Sequence, residues 1–258
     1  MIVLLPPSEG KTAPRRGRPL DLTTLTLPSL TPARERVLDA LVSLCEADET
    51  EAARVLDVPR SQLGLVGLNT RIRTAPTARA DQVYSGVLYD ALSPATLSTA
   101  ARRRATARLL VTSSLFGLVG PADRIPAYRL SGDAVLPRLG GVAAHWRGSL
   151  GHVVEELVGD RLLVDLRSSM YAAFWRPPAT LARRVATVRV LHEVGGRRQV
   201  VSHFNKATKG RIVRELLESG AAPRSPGRLA DALRDLGWTV EVEPGRAGTR
   251  LDVVVAEL

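Results

Sequence analysis

A cluster of cationic side chains near residue 206 has the spacing of an anion-binding helix. Lys206, Lys209 and Gly210 stand at positions i, i+3 and i+4, which share one helix face, and Arg214 follows one turn later. The free N–H groups and the dipole at a helix N-terminus favour a bound anion such as phosphate. Gly210 is unfavourable inside a helix, which indicates close approach by a ligand or by another backbone segment. A solvated cationic face is the alternative interpretation.

The loop that follows the first predicted strand is a second candidate. Ser8 and Lys11 belong to the stretch Pro-Pro-Ser-Glu-Gly-Lys-Thr, and open α/β sheets bind ligands beyond the carboxyl ends of their strands. Gly-Lys-Thr is similar to the end of a P-loop, but Leu5 stands where the first glycine belongs. Without that turn the loop lacks the nest of N–H groups that holds phosphate, so a P-loop is excluded. A surface loop with one lysine is the alternative.

The end of a later strand combines an acidic, a basic and an aromatic side chain. Asp165 and Arg167 end this strand, and Tyr171 follows a short polar run. A guanidinium binds phosphate at two points, and a tyrosine ring stacks on a nucleobase. The competing interpretation is a structural ion pair between Asp165 and Arg167 beside aromatic core residues.

Two glycines after another strand resemble part of a DNA-binding element. Gly117 and Gly120 enclose two apolar residues and precede Pro121, as in the hairpin of a helix-hairpin-helix. Such a turn directs N–H groups at a DNA phosphate without reading sequence. Residues 109–112 look like a strand rather than a helix, so an ordinary glycine turn is the alternative. Arg129 adds a cation shortly afterwards.

Other classes of site are excluded by what the sequence lacks. Four histidines and one cysteine have no zinc-ligand spacing, so no metal site is predicted. The nucleophile motif Gly-x-Ser-x-Gly and the dinucleotide fingerprint Gly-x-Gly-x-x-Gly are both missing. We therefore predict no cofactor.

The charge balance favours an anionic partner without locating it. The 258 residues carry a net charge of +10, with 33 arginines and three lysines, Lys11, Lys206 and Lys209. A protein this basic is a candidate for binding polyanions. Because the basic residues are spread evenly along the chain, folding must assemble any basic cleft. In so arginine-rich a chain, a retained lysine indicates a role that arginine cannot fill.

The compartment is predicted from features near the start of the chain and from its single cysteine. Cys45 has no partner for an internal disulfide, which fits a reducing compartment. The first twelve residues do not have the pattern of a signal peptide, and no apolar stretch reaches the length of a membrane span. We expect a cytoplasmic protein with no membrane partner.

Strand and helix patterns alternate along the chain and would position these candidates. The predicted strands are residues 2–5, 109–112, 162–166, 185–193, 199–203, 238–242 and 251–255. The predicted helices are residues 32–47, 51–58, 81–92, 141–158, 205–219 and 225–236, with another from 93 to the arginines at 102–104. This alternation favours an α/β (α+β mixed) fold, with one domain over residues 1–258 and a central mixed sheet flanked by helices.

Taken in order, the four segments resemble the YaaA family of peroxide stress proteins. The family's serine-glycine-aromatic segment and its Pro-Tyr-Arg-Leu-like stretch correspond to residues 113–117 and 127–130. Its strand-end motif corresponds to residues 165–171, and its late Lys-x-x-Arg-Gly helix to residues 206–210, with Lys209 in place of arginine. The resemblance spans residues 1–258. It implies a compact α/β fold with a positively charged cleft, DNA binding, and protection against peroxide and iron damage.

Two functions stay open at this point, beside a third possibility, a scaffold whose basic charge reflects mutational bias alone. The first, implied by the resemblance, is sequence-independent binding of DNA through the basic cleft. The residues expected to contact phosphate are Lys11, Gly117, Gly120, Arg129, Arg167, Lys209, Gly210 and Arg214. The alternative is an enzyme acting on a nucleotide, a nucleoside or a small phosphorylated ligand. Its expected catalytic residues are Lys206, Asp165, Ser8 and Tyr171.

Overall fold

The computed structural model describes residues 1–195 and 197–255, which form helices packed around a central sheet. The α-helices are α1 (Thr31–Ala47), α2 (Glu49–Val55), α3 (Gly64–Thr70), α4 (Ala80–Val83), α5 (Val87–Leu92), α6 (Thr99–Arg108), α7 (Val142–Val158), α8 (Ser169–Ala172), α9 (Ser202–Ser219) and α10 (Pro226–Asp235). The strands are β1 (Ile2–Leu5), β2 (Ala78–Arg79), β3 (Leu109–Ser113), β4 (Gly117–Val119), β5 (Arg124–Ile125), β6 (Val135–Leu136), β7 (Gly140–Gly141), β8 (Leu163–Asp165), β9 (Val185–Val194), β10 (Arg197–Gln199), β11 (Thr239–Gly245) and β12 (Gly248–Val255).

The main sheet has eight strands and is mixed. Seven of them follow the order β11-β12-β9-β8-β1-β3-β4, and β10 pairs with β9. Strands β12, β9, β8, β1 and β3 are parallel, whereas β4 and β11 run antiparallel at the two ends. This arrangement confirms the predicted α/β fold with a central mixed sheet flanked by helices.

Strand β1 lies in the middle of the sheet because its four residues are all apolar. Ile2 to Leu5 are at most 2% exposed, as expected for a strand covered on both faces. Leu4 pairs with Leu110 of β3 on one side and with Asp165 of β8 on the other. The carboxyl ends of these three strands therefore lie along one edge of the sheet.

Amphipathic helices bury their apolar faces against this sheet and against one another. In α7 the buried residues recur every four positions, which is the spacing of one helix face: Val142, Trp146, Leu150, Val154 and Val158. Helix α6 packs on β3, α9 packs on β9, and α10 packs on β9, β11 and β12. Helix α1 packs against α2, α3 and α7.

Three predicted elements differ from the structure, and one of them is the helix predicted from residue 93, which begins only at Thr99 as α6 and continues to Arg108. The predicted helix over residues 81–92 is divided into α4 and α5 by Gly86, whose φ is 96°, next to Tyr84, which bridges to Lys11. The predicted strand over residues 199–203 is wrong beyond Gln199, because α9 already begins at Ser202. The hairpin itself is confirmed, since β10 pairs antiparallel with β9.

Candidate functional site at the carboxyl edge of the sheet

The site lies where the chain changes direction across the sheet. From β1 the chain adds β3 and β4 on one side and later returns to place β8 on the other side. In open α/β sheets such a reversal leaves a crevice beyond the carboxyl ends of the strands, and ligands bind there. Loops that leave β1 and β8 carry Lys11 and Arg167, and Arg129 lies in the segment after β5.

The loop after β1 is held by short backbone contacts. The Ser8 hydroxyl donates to the carbonyl oxygen of Gly10 at 2.5 Å and accepts from the N–H of Ser85 at 3.1 Å. Lys11 forms a β-bridge with Tyr84, and the following N–H, of residue 12, donates to Val83. The Ser8 hydroxyl therefore fastens the loop to residues 83–85, and both of its hydrogen-bonding functions are already used.

The ammonium of Lys11 lies on an aromatic face instead of against a carboxylate. Its Nζ is 4.2 Å from the ring centroid of Tyr128 and donates to the carbonyl oxygen of Ser8 at 2.8 Å. Within the described residues, no carboxylate forms an ion pair with it. Burial lowers the pKa of Lys11 from 10.5 to about 8; the nearby Arg129 acts in the same direction, and Glu9 opposes it.

All four tyrosines of the chain gather next to this lysine. Tyr84 and Tyr89 stack with ring centroids 5.5 Å apart, and the hydroxyls of Tyr84 and Tyr128 are 3.1 Å apart. The Tyr128 hydroxyl also contacts Ser113, at the end of β3, at 2.8 Å. Burial raises the pKa of Tyr171, and its second cause is the neighbouring Tyr128. The cluster therefore presents protonated phenols, which act as hydrogen-bond donors.

Arg129 is fixed beside the tyrosines by a buried asparagine. The N–H of Arg129 donates to Asn69 Oδ1 at 2.9 Å, and Asn69 Nδ2 donates back to the carbonyl of Arg129 at 2.7 Å. The guanidinium forms an ion pair with Glu9, while its Nε is buried and has no hydrogen-bond partner. Arg129 thus brings a second cation, with an unused donor, next to Lys11.

Asp165 and Arg167 form the structural ion pair that was the alternative interpretation. Arg167 donates to both carboxylate oxygens of Asp165, through Nε at 2.9 Å and Nη2 at 2.8 Å. It also donates to the carbonyl oxygens of Tyr171 and Trp175, and its side chain is 1% exposed. The carboxylate and the guanidinium are therefore engaged with each other and with backbone carbonyls.

The two lysines of α9 differ sharply in environment. Lys209 is buried, and its Nζ donates to the carbonyl oxygen of Leu166 at 3.0 Å, just beyond β8. Burial lowers the pKa of Lys209 from 10.5 to about 8, with the charge of Asp165 opposing this shift. Lys206 is exposed on the same helix, so the expectation of a desolvated amine applies to Lys209 and not to Lys206.

Gly210 and Arg214 serve packing. A Cβ on Gly210 would lie 2.3 Å from the carbonyl oxygen of Leu88, so the close approach inferred from sequence is made by the backbone of α5. Arg214 donates through Nη1 to the carbonyl oxygens of Leu92 and Ser93 at the end of α5. These contacts hold α9 on α5 and occupy the groups that were expected to bind phosphate.

Gly117 and Gly120 lie inside the protein. A Cβ on Gly117 would lie 2.6 Å from the ring of Trp146, and the N–H of Gly120 donates to the carboxylate of Asp123 at 2.9 Å. The segment is the β-hairpin of β3 and β4, so the resemblance to a helix-hairpin-helix does not extend to the structure. Gly117 is required because the Trp146 ring packs against it, and a Cβ on Gly120 would lie 2.9 Å from the Thr26 hydroxyl.

Comparison with known proteins identifies the family. A family model described as peroxide stress protein YaaA matches residues 1–243. The chain belongs to the YaaA family. A UPF0246 protein of Streptomyces coelicolor is 54% identical over 261 residues, covering all of both chains. A UPF0246 protein of Corynebacterium efficiens is 41% identical over 257 residues, covering 98% of this chain and all of the relative.

Four of the residues predicted for this YaaA-family site lie together at the carboxyl edge: Ser8, Lys11, Arg129 and Tyr171. Four further residues lie around this site and were not among the predicted site residues: Glu9, Asn69, Tyr89 and Ser113. A signal for Glu9 was present, because it lies between Ser8 and Lys11. In residues 1–195 and 197–255, no helix has the length and apolarity of a membrane span, and no cluster of three metal-ligating side chains occurs.

Proposed function

We propose that this YaaA-family chain is an enzyme that acts on a nucleotide or nucleoside at the carboxyl edge of β1, with Lys11 as its reactive amine. The observation that carries the proposal is the Lys11 ammonium, held on the Tyr128 ring with a pKa near 8 and no carboxylate of its own. Burying a lysine without an ion pair is unfavourable for folding, so such a group points to function.

The chemistry follows from the protonation state. With a pKa of about 8, roughly a tenth of Lys11 is neutral at pH 7, compared with about one part in 3,000 for an ordinary lysine. A neutral amine accepts a proton or attacks an electrophilic carbon. The Tyr128 ring supports the amine, while its hydroxyl is engaged by Tyr84 and Ser113.

The class of ligand is inferred from charge and position. The net charge of +10 favours an anion, and the crevice at a topological switch point is where open α/β sheets bind nucleotides. Lys11 and Arg129 supply positive charge at that point. Lys11 takes the role first assigned to Lys206, because Lys206 is exposed.

Binding of a panel of nucleosides and their 5′-monophosphates, measured by isothermal titration calorimetry, tests this proposal. We expect Lys11→Met to weaken binding by at least about tenfold, since it removes the ammonium while keeping the side-chain length. Lys206→Met is the matched control and should stay within about twofold. Binding of no member of the panel, or equal affinities of Lys11→Met and wild type, would contradict the proposal.

We also propose, as a second function, that the protein binds duplex DNA without sequence preference and so contributes to peroxide tolerance. The observation that favours it is a run of exposed arginines in the loop after Lys11: Arg15, Arg16 and Arg18. In the described residues none of the three forms an ion pair with a carboxylate. The loop is held down because Thr77 donates to the carbonyl of Arg18 at 3.0 Å.

Fluorescence anisotropy with a labelled duplex at several salt concentrations tests DNA binding. Replacing the three loop arginines by glutamine should lower the slope of log affinity against log salt by about 3, because each lost phosphate contact removes roughly 0.9. A control variant with the same loss of charge replaces three exposed, dispersed arginines: Arg60, Arg211 and Arg246. A wild-type affinity that does not change with salt would refute this function.

A further inference from the structure

The side chain of Glu9 lies beside the two cations of the candidate site. Its carboxylate pairs with Arg129, and the Glu9 side chain is 58% exposed whereas that of Arg129 is 18% exposed. The backbone on either side is fastened, by the Ser8 hydroxyl to Ser85 and by Lys11 to Tyr84. Rotation of the Glu9 side chain alone therefore uncovers Arg129, with the loop backbone left in place.

The charges beneath Glu9 are not balanced. Lys11 and Arg129 carry two positive charges, and Glu9 supplies one negative charge. Asp133 also lies near Tyr171, but its carboxylate accepts a hydrogen bond from Ser131 at 2.6 Å. One monoanion thus lies beside two cations and pairs with Arg129 alone, and a group with two negative charges would match the two cations better.

The Arg129 guanidinium is ready to bind more than one oxygen. Asn69 fixes its backbone through two hydrogen bonds, which limits how far the residue can move. Its Nε is buried without a partner, an unfavourable state for a polar group unless something else binds it. A tetrahedral phosphate offers several oxygens to one guanidinium, whereas the Glu9 carboxylate here reaches Nη1.

We propose that Glu9 is a displaceable plug and that Arg129, with Lys11 beside it, forms the subsite for the phosphate monoester of the ligand. The Glu9 carboxylate occupies the place of one phosphate edge until the ligand arrives. This inference rests on the proposed enzymatic function and specifies its substrate class, a 5′-monophosphate in preference to the nucleoside. It also gives Glu9 a role in selectivity, because a ligand must outcompete an internal anion.

Calorimetry with inorganic phosphate, AMP, adenosine and acetate tests the plug in wild type and in Glu9→Gln. Removing the competing charge should raise the affinity for phosphate and AMP by about tenfold and leave adenosine within about twofold. Acetate should bind more weakly than phosphate, since it carries one charge. Glu9→Ala is the second variant, and Glu51→Gln, which breaks the exposed pair with Arg54, is the matched control.

The outcomes separate the two proposals. Unchanged or weaker phosphate binding in both Glu9 variants would overturn the plug, and the proposed function would survive if AMP still required Lys11. Phosphate binding that Glu9→Gln strengthens, without binding of any nucleoside or nucleotide, would support the plug and overturn the proposed function. If neither phosphate nor AMP binds any variant, both are refuted.

Discussion

The ammonium of Lys11 lies 4.2 Å from the ring centroid of Tyr128, with the carbonyl oxygen of Ser8 as its nearest hydrogen-bond acceptor. The electron-rich face of an aromatic ring attracts a cation. This attraction is weaker than that of a carboxylate or of the water that burial removes from the ammonium. The pKa of Lys11 falls to about 8 as a result. The loss of hydration therefore makes Lys11 more reactive than an ordinary exposed lysine.

We predict that Lys11 reacts with a small acylating reagent over an unusual pH range. Trace labelling with acetic anhydride, followed by mass spectrometry, should give a midpoint near pH 8, because only the neutral amine reacts. Lys206, exposed on α9, provides the reference within the same sample. A midpoint above pH 10 for Lys11 would show that its ammonium is not desolvated.

Lys209 should make folding stability depend on pH. Because burial lowers its pKa in the folded protein to about 8, the folded state bears an unfavourable charged amine below pH 8, and this penalty disappears between pH 8 and about 10.5. Lys209→Met should therefore be most favourable, relative to wild type, near pH 7. The advantage should shrink by up to about 3 kcal/mol as the pH rises.

Urea unfolding of wild type and Lys209→Met at pH 7 and pH 10 measures this effect. Both proteins contain Lys11, so its titration largely cancels in the comparison. Lys206→Met, at an exposed position of the same helix, is the control for the loss of a lysine. A difference for Lys209→Met that is equal at both pH values would contradict the prediction.

Removing the negative charge of Asp165 should destabilise the protein strongly. Asp165→Asn leaves the guanidinium of Arg167 buried without a counter-charge, and breaking a buried pair in this way costs about 3–5 kcal/mol. Urea unfolding measures the loss. Glu51→Gln breaks the exposed pair with Arg54 and should cost less than about 1 kcal/mol. Unchanged stability in Asp165→Asn would return Asp165 to the list of ligand-binding residues.

A single methyl group at position 210 should separate two helices. The Cβ of Gly210→Ala would lie 2.3 Å from the carbonyl oxygen of Leu88, so α9 must move away from α5. We expect a loss of about 1–3 kcal/mol in the free energy of unfolding. Gly151→Ala in α7 is the control: its Cβ meets no atom within 4 Å, and the better helix propensity should raise stability by up to about 1 kcal/mol. Equal effects at the two positions would disprove the contact.

The sequence predicted the elements of the fold more fully than the site. Strand β1 is a run of four apolar residues, so its burial could be inferred before its partners were known. The different environments of Lys206 and Lys209 could not be inferred from the sequence. Helical spacing places both residues on one face and does not show which part of that face is buried. Likewise Gly210 indicated a close neighbour, but only the fold shows that the neighbour is Leu88.

The tyrosines show the other limit of sequence reasoning. Tyr84 and Tyr128 are 44 residues apart, and their hydroxyls meet only because both segments converge beyond β1. Asn69 binds the backbone of Arg129 across 60 residues. Periodicity reports on neighbours within a few turns or strands, so contacts at such separations need the assembled sheet. Glu9 is the exception, because it lies beside Lys11 in the sequence.

The central position of β1 also has a consequence for the order in which the chain folds during synthesis. Val3 leaves the ribosome first, but its partners are Leu109 on one side and Val164 on the other. At about 5–20 residues per second, the second partner follows after roughly 10–30 s. During that interval the amino-terminal strand has an unpaired apolar edge, and the residues around Lys11 lack the sheet against which they pack. Nascent chains shorter than about 165 residues are therefore natural clients for chaperones.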